Sequence, residues 1–348
     1  MSGPDAPARR PARTAIAASV RCAALLLALG LAGCAPAETA DEAAGEGAGL
    51  TPAAGALPDV VRIEDPGLHP EGVEYDAGGE RFLVSSVTRG TVTAVGDDGR
   101  HEVFITDPDI TSSVGIHIDR SRGRLLVANS NVAVFQDQPG HARLGAYDLE
   151  TGERVFMAEL GALTGGESQF ANDVTSDPDG NAYVTNTLTP VIYRVSPDGE
   201  ATIWAQDEIL GGDGFGLNGI DLHPDGYLLV AQAGRRQILR IPLDDPSDIH
   251  VVGIAEAFDA DGLTLTAGGD LIAVATTGEG DAAATEVLRL QSSDGWETAR
   301  VAGRAPAAQN ATTAAVRGDA VYVVDARFAD MGGETPAPHF DITRVAFR

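Results

Sequence analysis

The 348-residue sequence contains no lysine: its 24 basic side chains are all Arg, set against 51 Asp and Glu, for a formal net charge of −27. A chain this acidic is not a nucleic-acid binder, because a polyanion needs clustered Lys and Arg to release its counterions. Without lysine there is also no Walker-type phosphate loop, no Schiff-base chemistry and no Ser-Lys acyl-enzyme dyad. Aromatic residues make up only 5% of the chain, whereas 42 Gly and 19 Pro punctuate it. That balance predicts many short strands and turns rather than long helices. Cysteine is nearly absent: Cys22 and Cys34 both fall in the first tenth of the sequence. Beyond residue 34 there are accordingly no disulfides, no zinc-thiolate sites and no Cys nucleophile.

What is present begins with an export signal. Arg9, Arg10, Arg13 and Arg21 precede an apolar run from Cys22 to Leu31 that is too short to span a bilayer comfortably. The run ends in Leu31-Ala32-Gly33-Cys34, which resembles a bacterial lipobox and implies lipidation of Cys34. An ordinary secretory peptide with a coincidental Cys is the alternative. The expectation is an exported lipoprotein of the cell envelope, held to the membrane through its lipid anchor alone. Residues 1–33 are then the signal peptide, and their removal leaves a charge of −30. Residues 34–58, rich in Ala, Gly and Pro, read as a flexible tether.

From residue 59 one phrase recurs, in which a hairpin turn separates two short apolar strands and the second strand ends in small polar residues. Gly72-Val73-Glu74-Tyr75-Asp76 to Phe82-Leu83-Val84-Ser85 is the first copy. Copies beginning at residues 72, 115, 173, 219 and 262 are 43, 58, 46 and 43 residues apart, and a shortened sixth runs from Ala314 to Val324. About 48 residues per copy suits a four-stranded propeller blade with its loops. The last copy lacks an outermost strand, which Asp59-Val60-Val61-Arg62-Ile63 can supply, so that two open sheet edges are buried. The fold expected over residues 59–348 is all-β, a six-bladed β-propeller closed by the N-terminal strand. A five-bladed ring or a β-sandwich is the alternative.

In a propeller the innermost strands line a central channel, so equivalent positions converge from every blade. Immediately before the recurring Gly, or its equivalent, stand Glu71, Val114, Asn172, Asn218, Asp261 and Thr312. Two carboxylates and two amides among them form a hard-cation site whose formal charge of −2 balances a divalent ion, with positions left for water and a substrate oxygen. Asn218-Gly219 and Asp261-Gly262 are equally the dipeptides that a tight turn prefers, which is the structural reading to set beside it.

Four phrases carry a resemblance to a known family. Pro70-Glu71-Gly72-Val73, Phe170-Ala171-Asn172-Asp173-Val174, Leu217-Asn218-Gly219-Ile220 and Ala260-Asp261-Gly262-Leu263 resemble the ligand phrases of the senescence marker protein / gluconolactonase family, which also includes diisopropyl fluorophosphatase. The resemblance implies Glu71, Asn172, Asn218 and Asp261 as ligands of one divalent cation, usually calcium, with Asp261 also the general base or nucleophile. Sugar-lactone members carry an Arg two residues before the third-blade Asn, where this chain has Phe170. That departure points to a more apolar lactone, ester or other small substrate. Phe170, Thr312, Asn129 and Asn186 are candidate substrate contacts, the last two because the second strand of each hairpin returns to the same face. Ser85, Gln232, Thr276 and Asp325 share that register.

The expected function is a metal-dependent hydrolase of a small lactone, ester or phosphotriester, monomeric, with a small-molecule substrate as its partner. A non-catalytic surface propeller that binds a ligand or a protein is the alternative. Gly214-Phe215-Gly216-Leu217-Asn218-Gly219 matches a dinucleotide-loop pattern but leads into a strand. His69, His117 and His223 read as structural or turn residues, although His69, two residues from Glu71, is placed to shuttle protons.

Overall fold

A computed structural model describes residues 56–348 apart from Glu167, Asp213 and Glu334. The expected signal peptide, Cys34 and the expected tether up to residue 55 lie outside the described residues.

Six sheets follow one another along the chain. Blade 1 comprises β2 (Val73–Asp76), β3 (Arg81–Ser85), β4 (Thr91–Val95) and β5 (His101–Thr106). Blade 2 comprises β6 (Ser112–Asp119), β7 (Arg124–Ser130), β8 (Ala142–Asp148) and β9 (Arg154–Glu159), and blade 3 comprises β10 (Ala171–Ser176), β11 (Ala182–Asn186), β12 (Val191–Val195) and β13 (Ala201–Gln206). Blade 4 is β14 (Leu217–His223), β15 (Tyr227–Gln232), β16 (Gln237–Pro242) and β17 (His250–Val251). Blade 5 holds β19 (Asp259–Leu265), β20 (Leu271–Thr277), β21 (Ala284–Gln291) and β22 (Thr298–Pro306). Blade 6 closes the ring with β23 (Ala311–Arg317), β24 (Ala320–Asp325), β25 (Phe340–Arg344) and, from the other end of the chain, β1 (Val60–Ile63).

The closure expected from the sequence is present. Strand β1 pairs antiparallel with β25, with Val61 opposite Ile342 and Ile63 opposite Phe340, and all four of these side chains are buried. Arg62 adds a two-pronged ion pair to Asp341 at 2.9 and 3.0 Å. Blade 5 carries a strand that the repeat did not predict. β18 (Gly253–Ile254) runs parallel to β22, because the chain leaving β17 crosses to the outer edge of blade 5 before turning inward.

Middle strands are buried on both faces because each blade is sandwiched by two neighbours; every residue of β7 is buried. Outer strands such as β9 are largely open. Six buried apolar clusters among the described residues account for the core, one at each blade interface. The interior is thus distributed around the axis, which frees the channel for polar side chains.

Candidate functional site

Five of the six inner strands carry the same irregularity at the same place. Pairing with the second strand slips by one residue between Ser113 and Ile116, Ala171 and Val174, Leu217 and Ile220, Ala260 and Leu263, and Ala311 and Ala314. A β-bulge inserts one extra residue and re-aims the side chains beside it. Here each bulge contains the residue singled out in the sequence, and the equivalents in blade 1 are Glu71 and Gly72, just ahead of β2.

Contacts between neighbouring blades tie these six positions into one ring. A methyl group on Gly72 would stand 2.7 Å from the carbonyl oxygen of Val114, and one on Gly115 would stand 2.7 Å from that of Asn172. At Gly219 the neighbour is the Asp261 carbonyl at 2.5 Å, and at Gly262 it is that of Thr312 at 2.8 Å. Glycine is required here for close backbone approach. Between blades 3 and 4, Thr185 Oγ1 donates to the Asn218 carbonyl at 2.7 Å. Thr312 Oγ1 closes the circle by donating to the Glu71 carbonyl at 2.6 Å. Glu71, Val114, Asn172, Asn218, Asp261 and Thr312 therefore occupy one level around the channel.

Their hydrogen bonding is incomplete. Glu71, Asn172 and Asn218 are buried, whereas Asp261 keeps part of its surface open. Ser85 Oγ accepts from the Glu71 and Gly72 amides at 3.3 and 2.7 Å, which fixes the backbone but leaves the carboxylate free. Glu71 Oε2 has no partner within the protein, and neither does Asn172 Oδ1. The Asn172 amide is oriented from its other end, where Nδ2 donates to Thr187 Oγ1 at 2.9 Å. Burial, then the charges of Asp261 and Asp173, push the Glu71 carboxyl well above the usual range. Burial and the neighbouring Asp259 and Asp173 raise Asp261 in the same direction, while the adjoining Asn218 amide pulls it back. Asp173, just beneath the ring, is pushed up to about 7 by burial, although it accepts from the Val174 and Ile220 amides at 2.9 and 3.3 Å. The locus thus gathers buried negative charge and unfilled oxygen lone pairs, an unfavourable arrangement for the protein alone and a favourable one around a cation.

That is the test a metal must pass, and the residues pass it. Glu71 Oε2 and Asn172 Oδ1 are unfilled oxygen donors, and Asn218 and Asp261, whose side chains adjoin each other, stand at the same level, a set suited to a cation that takes oxygen ligands. Among the described residues no group of three or more His, Cys, Asp or Glu side chains forms a metal centre, so the donor set is a mixture of carboxylate and amide.

Other expectations are corrected. Asn129 and Asn186 are fully buried and are not exposed for substrate contact. Asn129 Oδ1 accepts from the Thr111 amide and its Nδ2 donates to the Asp109 carbonyl. Asn186 Oδ1 accepts from the Phe170, Leu188 and Thr189 amides, and its Nδ2 donates to Gln169 Oε1. They hold the loops above the site, as Gln232 does by donating to the Gly211 carbonyl. Thr312 is likewise buried and spends its hydroxyl on Glu71. Phe170 lies at the mouth but is 4% exposed, covered by another ring. His69 is a structural residue with positive φ, its Nδ1 3.0 Å from the Ala326 carbonyl oxygen and its ring edge-on to Phe340. Sequence reasoning missed Asp173 as a charge beneath the ring, Thr187 as the support of Asn172, and Phe135 and Phe215 at the mouth. Only Asp173 had a signal, its place directly after Asn172.

Fold and site together define a six-bladed propeller with a carboxylate and amide ring set at one mouth of its channel. The chain belongs to the SMP-30/gluconolactonase/LRE-like family, whose model matches residues 69–325. Among solved structures it is similar to the major allergen Mala s 1 of Malassezia sympodialis, with 20% identity, a TM-score of 0.69, and coverage of 84% of this chain and 97% of that one. A gluconolactonase from Xanthomonas campestris shares 18% identity at a TM-score of 0.54, over 90% of this chain and 99% of that one. Regucalcin from Agrobacterium tumefaciens, described as a calcium-binding protein, shares 19% at 0.53, over 83% and 95%. No curated protein sequence matches the chain.

Proposed function

We propose that this protein is a divalent-cation-dependent hydrolase of a small lactone, ester or phosphotriester, and that calcium is the cation. The observation that carries the reading is the pair of buried, unpartnered oxygens, Glu71 Oε2 and Asn172 Oδ1, at the level of Asn218 and Asp261. A buried acceptor without a partner costs about 1–3 kcal/mol, and two in one ring of like charge call for a ligand. Family membership and the likeness to a gluconolactonase and to regucalcin support the same assignment.

Glu71, Asn172, Asn218 and Asp261 would hold the cation, and when bound it would polarise a substrate carbonyl or phosphoryl oxygen. Glu71, with its backbone fixed by Ser85 and Thr312, supplies charge without moving. Asn172 keeps its amide oxygen turned to the ring because Thr187 holds the nitrogen. Asp261, the one partly open side chain of the four, takes a proton from attacking water or attacks directly. Lipidation at Cys34 would place this activity at the cell envelope.

The test is elemental analysis of the purified protein, followed by assay of metal-free and calcium-loaded protein on lactones, aryl esters and phosphotriesters. Turnover that disappears on chelation and returns with calcium is expected. Protein inert to the whole panel with calcium bound would make it a non-catalytic propeller.

A further inference from the structure

Three phenylalanines from three different parts of the chain meet above Asn172. Phe170 ends the loop that enters blade 3, two residues before Asn172. Phe135 sits in the single 3-10 turn Val132–Gln136 between β7 and β8, a turn started by Asn131, whose Oδ1 accepts from the Ala133 amide at 3.1 Å. Its ring lies 4.9 Å from that of Phe170, centroid to centroid, tilted by 56°. It also stacks on Phe215 at 5.0 Å and 10°. Phe215 belongs to the connection into blade 4, three residues before Asn218. A loop of blade 2 and the approach to blade 4 thus touch over the inner end of the blade between them.

Thr187 links this pile to the ring. Its amide donates to the Phe170 carbonyl at 3.0 Å, and its carbonyl accepts from Gly216, next to Phe215, at 2.9 Å. Its hydroxyl accepts from Asn172 and donates to the Leu217 carbonyl at 2.8 Å. Val132, Val134 and Leu188 pack against the same core from the mouth side. Phe135 itself remains 43% exposed, a large apolar ring left in water beside the candidate site. None of these six side chains offers a hydrogen bond.

We propose that Phe135 and Phe215, backed by Phe170, are specificity-determining residues that receive an alkyl or aryl portion of the substrate. This rests on the hydrolase reading above. A polyhydroxylated sugar lactone is disfavoured, because hydroxyls pressed against the wall lose water and gain no partner. An apolar chain or ring gains by covering the exposed face, and the mutual stacking of Phe135 and Phe215 holds the wall in shape beforehand. The substrate class is therefore an alkyl-substituted lactone or an aryl ester.

The test compares δ-decalactone, unsubstituted δ-valerolactone, δ-gluconolactone and phenyl acetate on the calcium-loaded full chain and its Phe135→Ala variant. A calorimetric titration with the lactam analogue of δ-decalactone, which does not turn over, accompanies the assays. Wild-type protein should favour δ-decalactone and phenyl acetate over δ-gluconolactone. Phe135→Ala should lower the δ-decalactone to δ-valerolactone ratio of kcat/KM about tenfold, mainly through KM, and weaken the lactam by a similar factor. Phe135 is exposed, so the melting temperature should hold; a Phe135→Leu variant, which should recover part of the ratio, guards against a folding effect. Lactam binding that Phe135→Ala weakens, in the absence of any turnover, would uphold the wall and remove the hydrolase reading. Preference for δ-gluconolactone, an unchanged ratio, or neither turnover nor lactam binding would overturn the wall.

Discussion

Three residues beyond the candidate ring, on the same inner strands, lies a second ring: Glu74, His117, Thr175, Asp221, Thr264 and Ala315. Its Glu74, His117, Asp221 and Thr264 also face the channel, two of them carboxylates, yet its hydrogen bonding is opposite in character. Asp221 Oδ1 accepts from Thr175 Oγ1 and the Leu222 amide at 3.2 and 2.7 Å, and Oδ2 accepts from the Leu265 amide at 2.7 Å. Glu74 pairs with His117 at 3.4 Å, and the other imidazole nitrogen lies 3.1 Å from Ser176 Oγ. The lower ring staples five blades together and leaves little unsatisfied. A cavity of about 660 Å³ opens at its end of the channel, bounded by the hairpin turns at His223–Asp225 and Thr266–Gly269. Space alone does not mark the site: the satisfied ring has this cavity beside it, and the unfilled oxygens stand in the other ring.

The largest effect that separates the rings is on turnover. Asp261→Asn should lower kcat by about 10²–10⁴-fold, the range expected when a positioned base is removed, with the fold retained. Asp221→Asn should do the reverse, costing about 1–3 kcal/mol of stability through a disturbed buried acceptor while kcat stays within about threefold. Steady-state assays and denaturant titrations on both variants check this. Equal losses of turnover in the two would end the distinction between a chemical ring and a structural one.

Sequence patterns reach these two rings unequally. The upper one is legible because close backbone approach demands glycine after the inward-facing position in four of the six blades, at Gly72, Gly115, Gly219 and Gly262. The blade count and the closing strand are legible because period and edge burial both act along the chain. The lower ring has no such mark, since Glu74, His117 and Asp221 find their partners in neighbouring blades, up to 59 residues away. Asn129 and Asn186 were misread for a related reason. Position at the end of a second strand shows which mouth a residue is near, but not whether loop amides have already claimed its side chain. The aromatic pile was invisible because Phe135 and Phe215 are 80 residues apart and obey no period.

A second contrast concerns charge. Glu71→Gln removes one of the ring's two carboxylate charges and leaves a weaker, neutral amide oxygen in its place. Calcium affinity should fall by on the order of 10²-fold, while the metal-free protein at pH 8 should gain about 1 kcal/mol, because an unpaired buried carboxylate is costly. Calorimetric titration and thermal melts measure the two effects. A variant less stable without metal, with affinity kept, would mean that Glu71 serves the fold as Asp221 does.

The last contrast is a slope with pH. Asp173 is held up to about 7 in the folded chain against an ordinary value of 3.8, and Glu71 and Asp261 are raised as well. Between those values the folded state keeps a proton that the unfolded chain has released, so stability falls as pH rises, by at most about 1.4 kcal/mol per unit for each group. The metal-free protein should therefore melt at a lower temperature at pH 8 than at pH 5. His117 contributes with the same sign: burial opposes its charged form, but Glu74 raises its pKa above 6.5, and its stabilisation is lost as pH climbs through that raised value. Calcium should tell the two rings apart, because on the proposed reading it would compete with protons only for the upper one. The rise in melting temperature with saturating calcium should grow from pH 5 to pH 8. In His117→Asn the metal-free slope should be shallower and the calcium increment unchanged. A calcium increment equal at both pH values would place the ion away from Glu71 and Asp261.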